Sequence, residues 1–141
     1  MVMHCAKYYM MIVVLLSSYW SLSQLTIQVK GVTEKKGQLM VAVYENADHF
    51  PEYGKGIVNR VVEVESLPPS IQISQLVPGR SYAIAVYHDR NSNKMLDKNI
   101  LGMPIEYYGF SCNARATFGP PAFESAAFIY RHHQRIALVV K

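Results

Sequence analysis

The sequence predicts an all-β protein, a seven-stranded antiparallel β-sandwich of the immunoglobulin-like or transthyretin-like type. In several short segments, apolar residues alternate with polar ones, which is typical of strands with one buried face. Residues that favour turns separate these segments at short intervals. The length suits one domain of two packed sheets. A closed barrel is the alternative, because the number of strands alone does not distinguish the two.

The alternating segments follow one another along the chain. In order, they cover residues 25–29, 39–43, 62–64, 71–73, 82–86, 126–130 and 136–140. The turn signals between them are Gly31 and the segments 34–37, 67–70, 77–79 and 132–134. After residue 24 no segment carries a convincing helical stripe, although residues 46–53 could form one short turn anchored by Phe50.

The strand that begins near residue 81 has an additional signal. Pro78 and Gly79 form a turn sequence, and Tyr82 follows early in the strand. A tyrosine at this place can bond back to the backbone of the loop, as in the tyrosine corner of β-sandwiches. We therefore assign Tyr82 a structural role.

Residues 1–23 have the pattern of a secretory signal peptide. An apolar core over residues 8–16 is followed by small serine residues that suit signal peptidase. The apolar stretch is shorter than the roughly 20 residues that a membrane-spanning helix needs. We predict cleavage before Gln24, a single β-sandwich domain over residues 24–141 without a transmembrane segment, and a secreted or periplasmic location.

The charge distribution argues against nucleic acid as a partner. The chain has 14 Lys and Arg residues against 10 Asp and Glu residues, for a formal net charge of +4. The basic residues are scattered and form no dense run.

The cysteines predict a domain without a disulfide. Cys5 belongs to the predicted signal peptide, which leaves Cys112 without a partner in the domain. A lone cysteine is most often buried and unreactive, and we expect this of Cys112.

Oxygen-bearing side chains recur at alternate positions after the strand at 82–86. The residues at positions 1, 3, 5 and 9 of a calcium-type loop would be Asp89, Asn91, Asn93 and Asp97. Lys94 stands where such a loop has glycine, and Ile100 stands where it has a bidentate glutamate. The same residue types also form polar turns by bonding the local backbone. Calcium is therefore a possible cofactor, and a polar turn without an ion is the alternative.

No catalytic group of residues emerges from the sequence. His88 lies beside Asp89 at a strand end, but no second histidine stands at metal-ligand spacing and no nucleophile motif is present.

Residues 99–125 lack alternation and are rich in glycine, proline and aromatic residues. Their aromatic side chains either pack over one end of the sandwich, with a short strand hidden among them, or form a binding surface.

Several motifs together resemble one bacterial family. They are Gly31, Phe50-Pro51, Phe118-Gly119-Pro120-Pro121 and the segments 37–44, 76–97, 109–114 and 123–128. In these motifs the chain is similar to the exported family known as domain of unknown function 2141. The resemblance implies a secreted or periplasmic β-sandwich with no established activity. The family tends to read H-D-x-N-x-N-G-x-x-D and Y-G-F-S-N-N, and here Lys94 replaces the glycine and Cys112 the first asparagine of the second pattern.

We expect a non-catalytic binding or structural envelope protein whose recognition surface is formed by loop 88–99 and the aromatic segment 103–123. The residues expected to contact a ligand or partner are His88, Tyr107, Tyr108, Phe110, Asn113, Arg115 and Phe118. An envelope protein or a glycan is the expected partner. The alternatives are a small transthyretin-like hydrolase and a calcium-stabilised adhesion or carbohydrate-binding module. Convergence of His88, Asp89 and Arg115 in a deep pocket would favour the hydrolase, whereas a shallow aromatic shelf would favour binding.

Overall fold

The computed structural model describes residues 23–141, and the predicted signal peptide, apart from Ser23, lies outside them. Eight strands are formed: β1 (Leu25–Lys30), β2 (Gln38–Tyr44), β3 (Val58–Glu63), β4 (Ser70–Ile73), β5 (Ser81–Asp89), β6 (Tyr108–Phe110), β7 (Phe128–Ile129) and β8 (Arg135–Val139). A 3-10 turn, Ser111–Asn113, follows β6, and a four-residue helix α1, Phe123–Ala126, precedes β7. The all-β prediction is confirmed, with eight strands in place of seven.

The strands form two sheets that pack as a sandwich. One sheet has the order β4-β1-β8, and the other has the order β3-β2-β5-β6, with β7 also paired to β5. Strands β1 and β8 are parallel, with Thr26 opposite Arg135 and Lys30 opposite Val139. The smaller sheet is therefore mixed and differs from the wholly antiparallel arrangement that was predicted. Apolar alternation reports which face of a strand is buried and not the direction in which the strand runs, so the sequence pattern did not reveal this pair.

The inward faces of the two sheets share one apolar core. Leu25, Ile27 and Val29 of β1 are fully buried, as the alternation predicted. Side chains from β2, β5 and β8 belong to the same buried cluster. At one end of this core, the Tyr82 hydroxyl accepts a hydrogen bond from the N–H of Val77 at 3.0 Å, which confirms the tyrosine corner.

A second apolar layer covers part of the outer face of the five-stranded sheet. Strand β2 is buried on both faces, because every residue from Leu39 to Tyr44 is buried. On the outer face of β5, the small side chain of Ala83 lies against Phe110 and Ala126. The ring of Phe50, held in the turn that was expected at residues 46–53, lies 5.2 to 5.9 Å from the rings of Tyr44, Phe110 and Phe123. These aromatic contacts fix the connections that surround the outer face.

Strand β6 joins the two sheets along one edge. The N–H of Tyr108 donates to the carbonyl of Lys141 at 3.4 Å, and the N–H of Lys141 donates to the carbonyl of Tyr108 at 3.2 Å. Gly109 permits this close approach, since a Cβ there would collide with the carbonyl of Val139. This short strand, hidden in the segment without alternation, therefore anchors residues 99–125 to the sandwich.

Candidate functional site

An open cleft lies on the outer face of the five-stranded sheet. It encloses about 960 Å³, which is within the usual range for small-ligand sites. Its floor includes Ala85, Tyr87, Tyr108 and Phe110. Its walls come from residues 51–53, from residues 116–120 and from the connection 94–104, in which Ile100 and Leu101 do not line the cleft. Most of the lining is apolar, so the cleft suits the apolar part of a ligand or partner.

The polar side chains of loop 88–99 bond mainly to the loop itself. Asp89 is fully buried, and its carboxylate accepts the N–H of Asn93 at 3.1 Å and that of Lys94 at 2.7 Å. The amides of Asn91 and Asn93 donate to the carboxylate of Asp97 at 2.6 and 2.9 Å. The four predicted calcium ligands are thus brought together in one network, which has the contacts of a polar turn. Within residues 23–141, no group of three or more His, Cys, Asp or Glu side chains is arranged to hold a metal, and the calcium site stays a prediction.

Glu106 completes this network and was missed in the sequence analysis. Its carboxylate is almost fully buried and accepts the N–H of Arg90 at 3.0 Å and the N–H of Asp97 at 3.2 Å. It therefore fastens both ends of the polar loop to the segment that leads into β6. A signal for this role exists in the sequence, because Glu106 is the only charged residue between positions 99 and 114.

Three of the seven predicted contact residues line the cleft. Tyr108 and Phe110 contribute to its floor, and Phe118 belongs to the wall at 116–120. Tyr107 is exposed outside the cleft lining, and its carbonyl accepts the N–H of His88 at 2.8 Å. The wall at 51–53 could not be predicted from the sequence, since only the fold brings that connection beside β5.

Asn113 and Arg115 bond to the backbone of neighbouring strands. The side-chain oxygen of Asn113 accepts the N–H of Val139 at 2.9 Å. The guanidinium of Arg115 donates to the carbonyls of Tyr108 and Val139 at 3.3 and 3.0 Å. It also lies over the Tyr108 ring, 5.6 Å from the ring centroid. Both side chains therefore tie the segment after β6 to β8, and neither belongs to the cleft lining.

His88 lies on the inner side of β5. It is buried, and its Nε2 lies 2.7 Å from the carbonyl of Lys36, so that this nitrogen donates the hydrogen bond. Because successive residues of a strand point to opposite faces, His88 and Asp89 diverge. Arg115 is bound elsewhere, at β6 and β8. The three residues whose convergence would have favoured a hydrolase therefore do not converge.

Tyr87 is a polar group of the cleft floor. Burial raises the pKa of its phenol above the ordinary range, and the neighbouring carboxylate of Asp89 raises this pKa further. Its ring lies edge-on to that of Tyr53, with 5.8 Å between centroids. The phenol stays protonated near neutral pH and can donate a hydrogen bond to a ligand.

The sequence matches the model of one bacterial family over most of its length. A family model described as "Uncharacterized protein conserved in bacteria (DUF2141)" matches residues 27–137. The chain belongs to the DUF2141 family. No curated protein and no solved structure shows a significant match to it. No helical segment within residues 23–141 has the length and apolar character needed to span a bilayer.

Two departures of this DUF2141 protein from the family motifs fall at left-handed backbone positions. Lys94 has a φ of 64°, where the family motif carries glycine, the residue that adopts this conformation without steric cost. Cys112 has a φ of 57°, where the motif carries asparagine, which tolerates the left-handed region better than most residues. Both positions therefore favour the glycine and the asparagine that the resemblance implied there.

The expectation of a buried thiol at Cys112 is wrong. Cys112 is exposed, whereas Ser111 before it is buried and takes the inward position of the 3-10 turn. The Cys112 sulfur lies 3.5 Å from the carbonyl of Ala127. The expectation was wrong because Ser111, and not Cys112, takes the buried position of this turn.

Proposed function

We propose that this DUF2141 protein is a non-catalytic binding module, secreted or periplasmic, whose recognition surface surrounds the outer-face cleft. One observation carries the proposal, the cleft of about 960 Å³ with a mainly apolar lining. Loop 88–99 and segment 103–123 each contribute residues to its lining. An apolar site with few polar groups holds a ligand chiefly by removing apolar surface from water.

The polar groups of the cleft would orient what binds there. The Tyr87 phenol supplies a donor on the floor, and Lys94 and Lys98 supply cations on one wall. Glu52 lies on the opposite connection and is paired with Lys55 at 2.8 Å. A bound group with apolar and anionic parts would match this arrangement.

The wall that carries the two lysines is held in place before any ligand arrives. Asp89 and Glu106 together accept four backbone N–H groups of the polar loop, from Arg90, Asn93, Lys94 and Asp97. Four such bonds limit the conformations that the loop can adopt. A site ordered in this way loses less conformational entropy on binding, which favours affinity.

Binding of an anilinonaphthalene sulfonate dye, followed by its fluorescence, tests the proposal. Ala116 is an exposed residue of the cleft wall, so Ala116→Trp fills part of the cleft without changing the core. Ala137→Trp places the same side chain on the exposed face of β8 and is the matched control. We expect saturable binding to the parent and the control, and an affinity lower by roughly ten-fold in Ala116→Trp. Absence of saturable binding to the parent, or equal affinity in the two variants, would refute the proposal.

A further inference from the structure

Exposed apolar side chains are concentrated beside the cleft. Among residues 23–141, seven of the twelve large apolar side chains that are exposed lie between residues 95 and 118. Ile100 is fully exposed, Leu101 is 77% exposed and Phe118 is 91% exposed. Single exposed apolar residues are ordinary on protein surfaces, but a cluster of this kind marks a surface that meets another apolar phase.

Two of these side chains, Ile100 and Leu101, stand at the tip of a small hairpin. Lys98 and Pro104 form an antiparallel bridge at its base, and Ile100 and Leu101 occupy the turn between them. We call residues 98–104 the apolar finger. Phe118 lies on the neighbouring connection, and both connections border the same cleft. The finger and Phe118 are therefore two projections on one side of the molecule.

The backbone of the finger already satisfies most of its own hydrogen-bond donors. The side-chain oxygen of Asn99 accepts the N–H groups of Leu101 and Met103, each at 3.0 Å. The N–H of Asn99 donates to the carbonyl of Met103 at 2.8 Å, and that of Gly102 donates to the carbonyl of Asn99 at 2.9 Å. Four of the five N–H groups from residue 99 to residue 103 are thus bonded within the finger. A segment so arranged can leave water at low cost, because few donors lose a hydrogen bond.

Two cations, Lys94 and Lys98, lie near the finger tip and form no ion pair within residues 23–141. The ion pairs among the described residues are Lys55 with Glu52, Arg80 with Glu45 and Arg90 with Glu34. Lys94 and Lys98 take part in none of them, and both are exposed. The acidic residues closest in sequence, Asp97 and Glu106, direct their carboxylates to amide donors of the loop. The exposed ammonium groups of Lys94 and Lys98 therefore lie beside the finger tip without an ion pair among the described residues.

We propose that the apolar finger and Phe118 insert into a lipid surface that carries anionic headgroups, with Lys94 and Lys98 at the level of those headgroups. This proposal rests on the proposed binding function and identifies the bound partner as a lipid surface. Protruding apolar side chains, internally bonded backbone and flanking cations are what shallow insertion requires. A lipid surface also needs no matching shape, whereas a protein partner would have to enclose a fully exposed tip.

Co-sedimentation with lipid vesicles tests the insertion. The purified protein is mixed with vesicles of phosphatidylcholine and phosphatidylglycerol in equal parts, and with vesicles of phosphatidylcholine alone. We expect the parent to bind the anionic vesicles and Ile100→Ser/Leu101→Ser to lower the partition coefficient by at least about ten-fold. Val77→Ser/Ile129→Ser removes two exposed apolar side chains near the start of β5, far along the strand from the cleft, and should bind like the parent.

The role of the lysines is tested on the same vesicles. Lys94→Gln/Lys98→Gln should lower binding to the anionic vesicles by roughly five-fold for each lysine and should leave binding to phosphatidylcholine unchanged. Equal binding of the finger variant and the parent, or no binding of the parent to anionic vesicles, overturns the proposal. Equal binding of parent and lysine variant to both vesicle types would overturn the claim that the two lysines recognise anionic headgroups. Dye binding distinguishes failure of the insertion proposal from failure of the cleft proposal. The finger variant leaves the cleft lining intact and should bind the dye like the parent.

Discussion

Replacing Asp89 by asparagine measures how strongly one buried carboxylate holds the wall of the cleft. Both oxygens of Asp89 accept backbone N–H groups, at 3.1 Å from Asn93 and 2.7 Å from Lys94. Asparagine keeps the shape but has only one side-chain oxygen. Its NH2 group would then face a backbone N–H, so that two donors meet and one hydrogen bond is lost. A hydrogen bond to a charged acceptor contributes about 1.5 to 3 kcal/mol, and we expect Asp89→Asn to lower the free energy of unfolding by about 2 kcal/mol. For a domain of this size, that loss corresponds to a midpoint lower by about 8 °C.

Thermal unfolding followed by circular dichroism, with EDTA and then with millimolar calcium, is the assay. Asp48→Asn is the control, because Asp48 is exposed and its carboxylate forms none of the described hydrogen bonds. A midpoint of Asp89→Asn within about 2 °C of that of the parent would refute the claim that this carboxylate holds the loop. A calcium concentration 100 times the Kd would raise the parent's midpoint by several degrees, because it stabilises by about 2.7 kcal/mol. Such a rise, lost in Asp89→Asn, would show that the loop binds an ion.

Three further predictions concern single residues. Lys94→Gly relieves a left-handed conformation at a φ of 64° and should raise the free energy of unfolding by about 1 kcal/mol, and a lower value in urea unfolding would contradict this reasoning. Tyr82→Phe leaves the N–H of Val77 without its acceptor and should lower the free energy of unfolding by about 1 to 2 kcal/mol in the same assay. Burial, and then Asp89, raise the pKa of Tyr87 in the folded state, so its contribution to stability is complete below about pH 10 and is lost as the pH rises toward the folded pKa. Urea unfolding at increasing pH should show this alkaline loss in the parent and a smaller loss in Tyr87→Phe; equal losses would assign the effect to other groups.

The sequence revealed strands with one buried face, such as β1, and also β2, which is buried on both faces. The alternation in β1, with Ile27 buried and Gln28 exposed, matches the observed strand. Strand β6 gave no such signal, because three residues centred on Gly109 are too few to show a period. The continuous apolar run of β2 also carries a signal of its own. A strand with no polar residue between Leu39 and Val43 indicates burial on both faces, and that burial marks the outer layer next to the cleft.

The candidate site was predicted in outline and not in its architecture. The aromatic segment could be singled out because Tyr108, Phe110 and Phe118 exceed what turns require. The polar loop could be singled out by its alternate oxygens, yet its anchor, Glu106, is one residue whose role depends on a fold that brings it beside Arg90. The side to which His88 points could be predicted, because His88 continues the period of two that places Tyr82, Ile84 and Val86 on the inner face.

Strands β2 and β5 contribute to two apolar layers at once. Substitutions are therefore more constrained in these strands than in the connections around the cleft. Their inner faces stabilise the sandwich and their outer faces support the cleft, so any change on the floor, at Ala85 for example, also acts on the pairing of the central strands. The walls at 51–53, 94–104 and 116–120 lie in connections between strands and carry no such double constraint. We expect members of the family to diverge in specificity through these three connections. Exchanging them between two members should transfer recognition while leaving the scaffold unchanged.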